Sequence, residues 1–218
     1  MESCKSKQGY SSLFNDTKAI ELVEKIDYDF SILEENLFQN LFMAARAKQF
    51  DDKIKSFIAE HPRASVINLR AGLDTAFYRV DNGLVQWYDL DLPNVIAIQE
   101  QLLPTTDKIT YISKSIFDPS WCNDIKDVEN GVFIVACGVL AYFKETQIKQ
   151  LFSMLADNFP NGQVVFDVPT TVDRGVFECC TCIIIYKSRS AIIILLGAVA
   201  VPHLLGIVAA IVYWNRKR

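Results

Sequence analysis

The chain has 218 residues, of which 50% are hydrophobic and 22% are charged. This charged fraction excludes both a disordered chain and a polytopic membrane protein. The formal net charge is −4, and Arg216, Lys217 and Arg218 supply three positive charges, so the rest of the chain carries −7. Such an acidic chain lacks the basic surface of a nucleic-acid-binding protein, and we expect no nucleic-acid partner.

The first sixty residues are predicted to be helical. Apolar side chains recur at helical spacing at Ile20, Val23, Ile26 and Phe30, and again at Leu33, Leu37, Leu41 and Phe42. A further helix over about 49–60 places Phe50, Ile54, Phe57 and Ile58 on one face and ends at His61-Pro62. We interpret all these stripes as ordinary core packing.

From residue 65 the pattern changes to short apolar runs that alternate with helical segments. Strands are predicted over 65–69, 85–93, 108–113, 131–137 and 163–168, with helices over 94–103 and 145–159. The run at 131–137 is wholly apolar, as in a strand that is covered on both faces. Alternating strands and helices predict an α/β protein with a doubly wound parallel sheet.

The carboxyl ends of parallel strands are where ligands bind in such a sheet. A small-residue turn around Gly72 follows the first strand, and Asp89 and Asp91 close the second. An acidic residue at that point commonly accepts hydrogen bonds from ribose hydroxyls. These features favour a nucleotide-like ligand, while the missing GxGxxG sequence argues against a nicotinamide-dependent oxidoreductase.

Four segments resemble the leucine carboxyl methyltransferase family of class I S-adenosylmethionine-dependent methyltransferases, which includes polyketide O-methyltransferases. They are VINLRAGLDTAFYRVDNG, WYDLDLPNVI, VACGVLAYFKE and VVFDV, and the resemblance extends over roughly 40–168. It implies a Rossmann-like core, S-adenosylmethionine as cofactor, and transfer of a methyl group to a carboxyl or hydroxyl oxygen of a small molecule or protein. A carboxylate acceptor is already ionised at neutral pH and needs no general base, so no catalytic residue is assigned.

The resemblance also implies the cofactor site, residue by residue. Arg46 would bind the carboxylate of the cofactor, Gly72 and Asp74 would cradle its methionine part, and Asp91 would bind the ribose. Ser115 and Ile116 would flank the adenine, and Cys137 would lie in the stretch that closes over the methyl group. Asp89 would be a second carboxylate near the ribose.

The chain departs from the family pattern in three places. Arg70 replaces the first glycine of the turn, where a side chain is expected to project toward the cofactor in a backbone conformation that favours glycine. Cys137 stands where many family members have glycine or an acidic residue. The family also continues well beyond VVFDV, so this chain resembles a family member truncated at its C-terminal end.

Residues 191–214 contain no charged side chain. As a helix they would extend for ~36 Å, enough for a bilayer core of about 30 Å. Tyr213 and Trp214 would lie in the interfacial region, with a basic flank beyond them. We therefore expect a membrane-embedded helix and an N-terminal domain in the cytoplasm, or a cytoplasmic protein if the helix does not insert.

The predicted organisation has five parts: a helical region (1–62), a cofactor-binding core (63–169), a Cys-rich connector (170–190), the apolar helix (191–214) and a basic tail (215–218). The chain has six cysteines, but their spacing is unlike that of paired CxxC zinc ligands, and no metal site is expected. The alternative to an enzyme is a catalytically impaired remnant or a tail-anchored, non-enzymatic protein that retains part of the fold.

Overall fold

The computed structural model describes residues 14–30, 37–104, 106–168 and 182–187. The helices are α1 (Thr17–Lys25), α2 (Leu37–Glu60), α3 (Ala76–Val80), α4 (Pro93–Leu102) and α5 (Glu145–Asn158). The strands are β1 (Ser65–Leu69), β2 (Gln86–Asp91), β3 (Ile109–Ser113), β4 (Val132–Ala136), β5 (Gln163–Val168) and β6 (Cys182–Lys187). Short 3₁₀ turns complete the connections.

The six strands form one sheet in the order β3-β2-β1-β4-β5-β6. Strands β1 to β5 pair in parallel, and β6 pairs antiparallel with β5. The chain runs outward from β1 to β3 and then returns to the other side of β1 as β4. The strand order therefore reverses between β1 and β4, and the carboxyl ends of these two strands are the topological switch point of the sheet.

Each face of the sheet has its own apolar core. Helices α2 and α3 cover one face, where Ile54 and Phe77 pack against Val66, Phe133 and other strand residues. Helix α5 covers the opposite face through Ile148, Leu151, Phe152 and Leu155. Because helices lie on both faces, the sheet is doubly wound, as the alternation of strands and helices predicts.

The five parallel strands are confirmed close to their predicted bounds. The buried face predicted for 49–60 is also confirmed, as part of the longer helix α2. The core position predicted for the stripe on α1 is wrong, because Ile20 and Val23 are 58% and 46% exposed, and Leu22 is the buried side chain of that helix. Strand β6, which lies in the segment assigned to a connector, was not predicted.

Arg79 ties the N-terminal segment to the sheet domain. Its Nε and Nη2 donate to the two carboxylate oxygens of Asp51 at 2.8 and 3.0 Å. Its Nη1 donates to Asp16, the N-cap of α1, and to the Thr75 hydroxyl. The guanidinium also lies 4.9 Å from the centre of the Phe14 ring. One half-buried cation thus joins α1, α2 and the start of α3.

Among the residues that the structure describes, no helix has the length and apolar character needed to cross a membrane. The predicted membrane helix at 191–214 lies outside these residues, as does most of the predicted connector at 170–190.

Candidate cofactor site

The turn after β1 is held against the end of β2 by backbone hydrogen bonds. The amides of Arg70 and Ala71 both donate to the carbonyl oxygen of Leu90, at 2.7 and 3.3 Å. Gly72 has φ +56°, and no atom lies within 4 Å of the position that a Cβ would take. Its backbone therefore borders open space at the carboxyl edge of the sheet, in a conformation that favours glycine.

Asp91 at the end of β2 anchors the same turn. One carboxylate oxygen accepts the amide N–H of Gly72 at 3.0 Å, and the other accepts that of Leu92 at 2.8 Å. Each oxygen has a second lone pair beyond this bond. The structure therefore brings Asp91 and Gly72 together at this edge, and ribose binding by Asp91 stays a prediction.

Asp74 shapes the turn from within. It accepts hydrogen bonds from the Asn68 amide at 3.1 Å and from the backbone N–H of Ala76 at 2.9 Å, at the start of α3. Burial raises the pKa of Asp74, and the nearby Arg79 guanidinium opposes that rise. These partners hold both oxygens of the carboxylate within the protein, so Asp74 fixes the shape of the turn.

Asp89 is not part of the site. It is 3% exposed, and its carboxylate accepts hydrogen bonds from the Trp87 indole at 2.7 Å and from the Gln99 amide at 2.5 Å. Burial raises its pKa to about 7, against the hydrogen bond from Trp87. The expectation of a second carboxylate that serves the ribose is not met, because both oxygens of this buried side chain already accept hydrogen bonds from Trp87 and Gln99.

Arg46 on α2 forms an ion pair with Asp167 at the end of β5, next to the residues that follow β4. Its Nη1 donates to Asp167 Oδ2 at 3.2 Å, while Asp167 Oδ1 accepts the amide N–H of Gly138 at 2.6 Å. Burial raises the pKa of Asp167, and the Gly138 amide and Arg46 oppose the rise. Sequence reasoning did not single out Asp167, although an acidic residue at the carboxyl end of a buried strand was a signal for it.

Cys137 lies beside this ion pair at the end of β4. Burial, with the negative charge of Asp167, raises the pKa of its thiol to about 12. The thiol is therefore protonated at neutral pH, and it is a poor nucleophile there because the thiolate is the reactive form.

Ser115 and Ile116 follow β3, as expected. Ile116 is buried, and its carbonyl oxygen accepts the indole N–H of Trp121 at 3.2 Å. Ser115 is exposed, and its hydroxyl accepts the backbone N–H of Phe117 at 3.3 Å. The two residues border the β3 end of the carboxyl edge, farther from the switch point than Gly72 and Asp91.

Arg70 follows β1 with φ +53°, the glycine-like backbone conformation that was expected at this turn. Its guanidinium carbon lies 5.2 Å from the centre of the Tyr142 ring and 5.7 Å from that of Phe143. The side chain thus extends from the end of β1 to the loop after β4. Sequence reasoning singled out neither aromatic residue, because their pairing with Arg70 depends on β1 and β4 being neighbours in the sheet.

The fold is that of an α/β protein with a doubly wound, largely parallel sheet, and the turn with Gly72 and Asp91 lies at its switch point. A family model for leucine carboxyl methyltransferase matches residues 4–156. The chain belongs to this family. It is 31% identical over 156 residues to the tetracenomycin polyketide synthesis O-methyltransferase TcmP of Streptomyces glaucescens. That match covers 71% of this chain and 57% of TcmP, so the chain spans little more than half the length of this relative.

Solved methyltransferase structures also match, with lower identity. The N-methyltransferase NodS of Bradyrhizobium japonicum WM9, in complex with S-adenosyl-L-homocysteine, is 17% identical, with a TM-score of 0.45 over 71% of this chain and 74% of NodS. An O-methyltransferase family protein of Burkholderia thailandensis is 16% identical, with a TM-score of 0.44 over 61% of this chain and 41% of that protein.

Proposed function

We propose that the chain binds S-adenosylmethionine at the carboxyl edge of its sheet and transfers the methyl group to a carboxyl or hydroxyl oxygen. The observation that carries this proposal is the bond between the Gly72 amide and Asp91. It joins a turn that borders open space to a buried carboxylate in a chain of this methyltransferase family. This arrangement is compatible with the cofactor, because the Asp91 carboxylate can still accept hydrogen bonds from the hydroxyl groups of a ribose.

The remaining residues of the edge have distinct roles in this proposal. Among the described residues, Arg46 bonds to Asp167 through Nη1 alone, and its other donors would bind the carboxylate of the cofactor. Gly72 allows close approach of the cofactor to the backbone, and Asp74 keeps the turn in shape. Ser115 and Ile116 border the adenine. Cys137 stays protonated and adds no charge beside the reacting groups.

When bound, S-adenosylmethionine supplies an electrophilic methyl group. The protein then has to hold the acceptor oxygen in line with that group and exclude water, which is catalysis by positioning. A carboxylate acceptor needs no general base, because it is ionised at neutral pH. This agrees with a thiol at position 137 that is protonated at neutral pH.

Calorimetric titration with S-adenosylhomocysteine tests the proposal. Asp91→Asn keeps one oxygen to accept the Gly72 amide, but it removes the charge and places an amide nitrogen against the Leu92 N–H. We expect it to weaken binding by about tenfold or more. Asp107→Asn changes the same functional group at an exposed site before β3 and should leave affinity unchanged. The absence of heat with the wild-type chain at millimolar ligand would contradict the proposal and favour the non-enzymatic remnant.

Attachment to a membrane through 191–214 is a second, separable proposal. Its support is the uncharged sequence of that segment and its aromatic and basic flank. Flotation of the full chain with phospholipid vesicles tests it against a variant that ends at residue 190. Equal recovery of both chains in the soluble fraction would place the enzyme in solution instead.

A further inference from the structure

The guanidinium of Arg70 is held by two aromatic rings at the switch point. Both ring centres lie within the range at which a cation is attracted to the face of an aromatic ring. Phe143 is fixed in turn by an edge-to-face contact with Phe117, whose ring centre is 5.0 Å away. Tyr142 is 74% exposed, so the pair is open to solvent on one side. Arg70 is therefore both oriented and accessible.

The hydrogen-bond donors of this guanidinium are not used by any side chain that the structure describes. In the described part of the chain, no carboxylate lies within ion-pair distance of Arg70 and no side-chain hydrogen bond from it is found. Contact with aromatic rings occupies the face of a guanidinium, while its N–H groups point outward in the plane. Such a group is prepared to bind a carboxylate through two parallel hydrogen bonds.

The backbone at Arg70 is also unusual. Its φ of +53° lies in the left-handed region, which side-chain-bearing residues rarely adopt. The conformation is imposed by the turn, whose amide at this residue donates to Leu90 at 2.7 Å. Strained backbone of this kind concentrates at ligand sites, where it directs a side chain that a relaxed backbone would place elsewhere.

The direction of the Arg70 side chain indicates which ligand it meets. Asp91 and Gly72 lie on the β2 side of the switch point, and Arg70 extends the opposite way, to the loop after β4. We propose that Arg70 binds the carboxylate of the methyl acceptor and so restricts the acceptor to anionic molecules. This inference rests on the proposed function, since it places the ribose of the cofactor at Asp91 and the acceptor beyond the cofactor.

The test separates acceptor from cofactor by using benzoate and the uncharged benzamide as probes. Their affinities for the full chain are measured by calorimetry with and without saturating S-adenosylhomocysteine. The variants are Arg70→Gln, which removes the charge, and Arg70→Lys, which retains it. Arg63→Gln is the control, because Arg63 is exposed at the opposite, amino edge of the sheet. The affinity of each variant for S-adenosylhomocysteine is measured separately.

We expect benzoate to bind the wild-type chain better than benzamide does, and Arg70→Gln to weaken benzoate binding by about tenfold. Arg70→Lys should retain part of the benzoate affinity, and Arg63→Gln all of it. Equal binding of benzoate by wild type and Arg70→Gln, or no preference over benzamide, overturns the inference while leaving cofactor binding intact.

Two further outcomes concern the cofactor. If Arg70→Gln loses affinity for S-adenosylhomocysteine instead of benzoate, Arg70 binds the carboxylate of the cofactor, and the assignment to the acceptor is wrong. If Arg70→Gln gains affinity for S-adenosylhomocysteine, the side chain obstructs the crevice, which also overturns the inference. If the wild-type chain does not bind S-adenosylhomocysteine at all, the proposed function itself fails, and with it the placement of an acceptor.

Discussion

Replacing Asp89 with asparagine is expected to change how the stability of the protein depends on pH. The carboxyl group is buried between Trp87 and Gln99, and burial raises its pKa from 3.8 to about 7. The folded state therefore keeps the proton to a higher pH than the unfolded state does. The free energy of unfolding consequently falls as the pH rises from about 4 through about 7.

The size of this effect follows from the two pKa values. A difference of about three units corresponds to about 4 kcal/mol in total, of which about 3 kcal/mol is lost between pH 5 and pH 9. Asparagine at position 89 has no charge to desolvate. Its amide oxygen can accept from the Trp87 indole. After the Gln99 amide turns over, its amide nitrogen can donate to Gln99 Oε1, which has no partner among the described residues. We expect Asp89→Asn to match the wild type at pH 5 and to exceed it at pH 9.

Urea unfolding of both proteins at pH 5, 7 and 9, followed by circular dichroism, measures this difference. Other titrating groups are common to the two chains and largely cancel in the comparison. Asp107→Asn, at an exposed position, serves as the control and should follow the wild type at every pH. If the difference in unfolding free energy between Asp89→Asn and wild type is the same at pH 5 and pH 9, the pKa of Asp89 is not raised in the folded protein.

Three further predictions concern the stability of two variants near the carboxyl edge of the sheet and the reactivity of Cys137. Arg79→Gln leaves the buried Asp51 carboxylate without its partner, so urea unfolding should show a loss of about 3 kcal/mol. Gly72→Ala should lose about 1 kcal/mol, because alanine at φ +56° is strained although no atom obstructs its methyl group; unchanged stability would contradict the left-handed conformation. With a pKa of about 12, Cys137 should be alkylated by iodoacetamide roughly a thousandfold more slowly in the folded than in the urea-unfolded chain, as measured by peptide mass spectrometry.

The parallel strands could be predicted because their signal is local. The apolar run of β1 and the turn as far as Gly72 stand in eight consecutive positions of the sequence, and the structure gives β1 its predicted bounds, Ser65–Leu69. Strand β6 carries an equally apolar run, but its antiparallel position beside β5 depends on a partner in the sheet and on no local pattern. Apolar runs of this length do not distinguish a strand from other buried segments.

The candidate site likewise has one part that could be predicted from the sequence and another that could not. The contact between Gly72 and Asp91 could be predicted, because Gly72 follows β1, Asp91 ends β2, and parallel strands bring their carboxyl ends together. Asp89 has the same sequence context as Asp91, and the alternation along β2 puts both side chains on one face. Only the positions of Trp87 and Gln99 in the folded chain show that Asp89 is enclosed.

The pairing of Arg70 with Tyr142 joins residues 72 positions apart, across two neighbouring strands. Composition and spacing carry no information about such a contact. The same holds for Arg46 and Asp167, which are separated by 121 positions and meet only because α2 packs over the ends of β4 and β5.

The central claim is that the cofactor binds at the carboxyl edge of the sheet, and amide NMR of the labelled chain tests it most directly. Addition of S-adenosylhomocysteine should shift the amide resonances of Gly72, Leu92 and Gly138, which lie at that edge. The amides of Gly83 and Gly131, which precede β2 and β4 at the opposite edge, should stay in place. Shifts confined to Gly83 and Gly131, or no shifts at all at saturating ligand, would contradict the account.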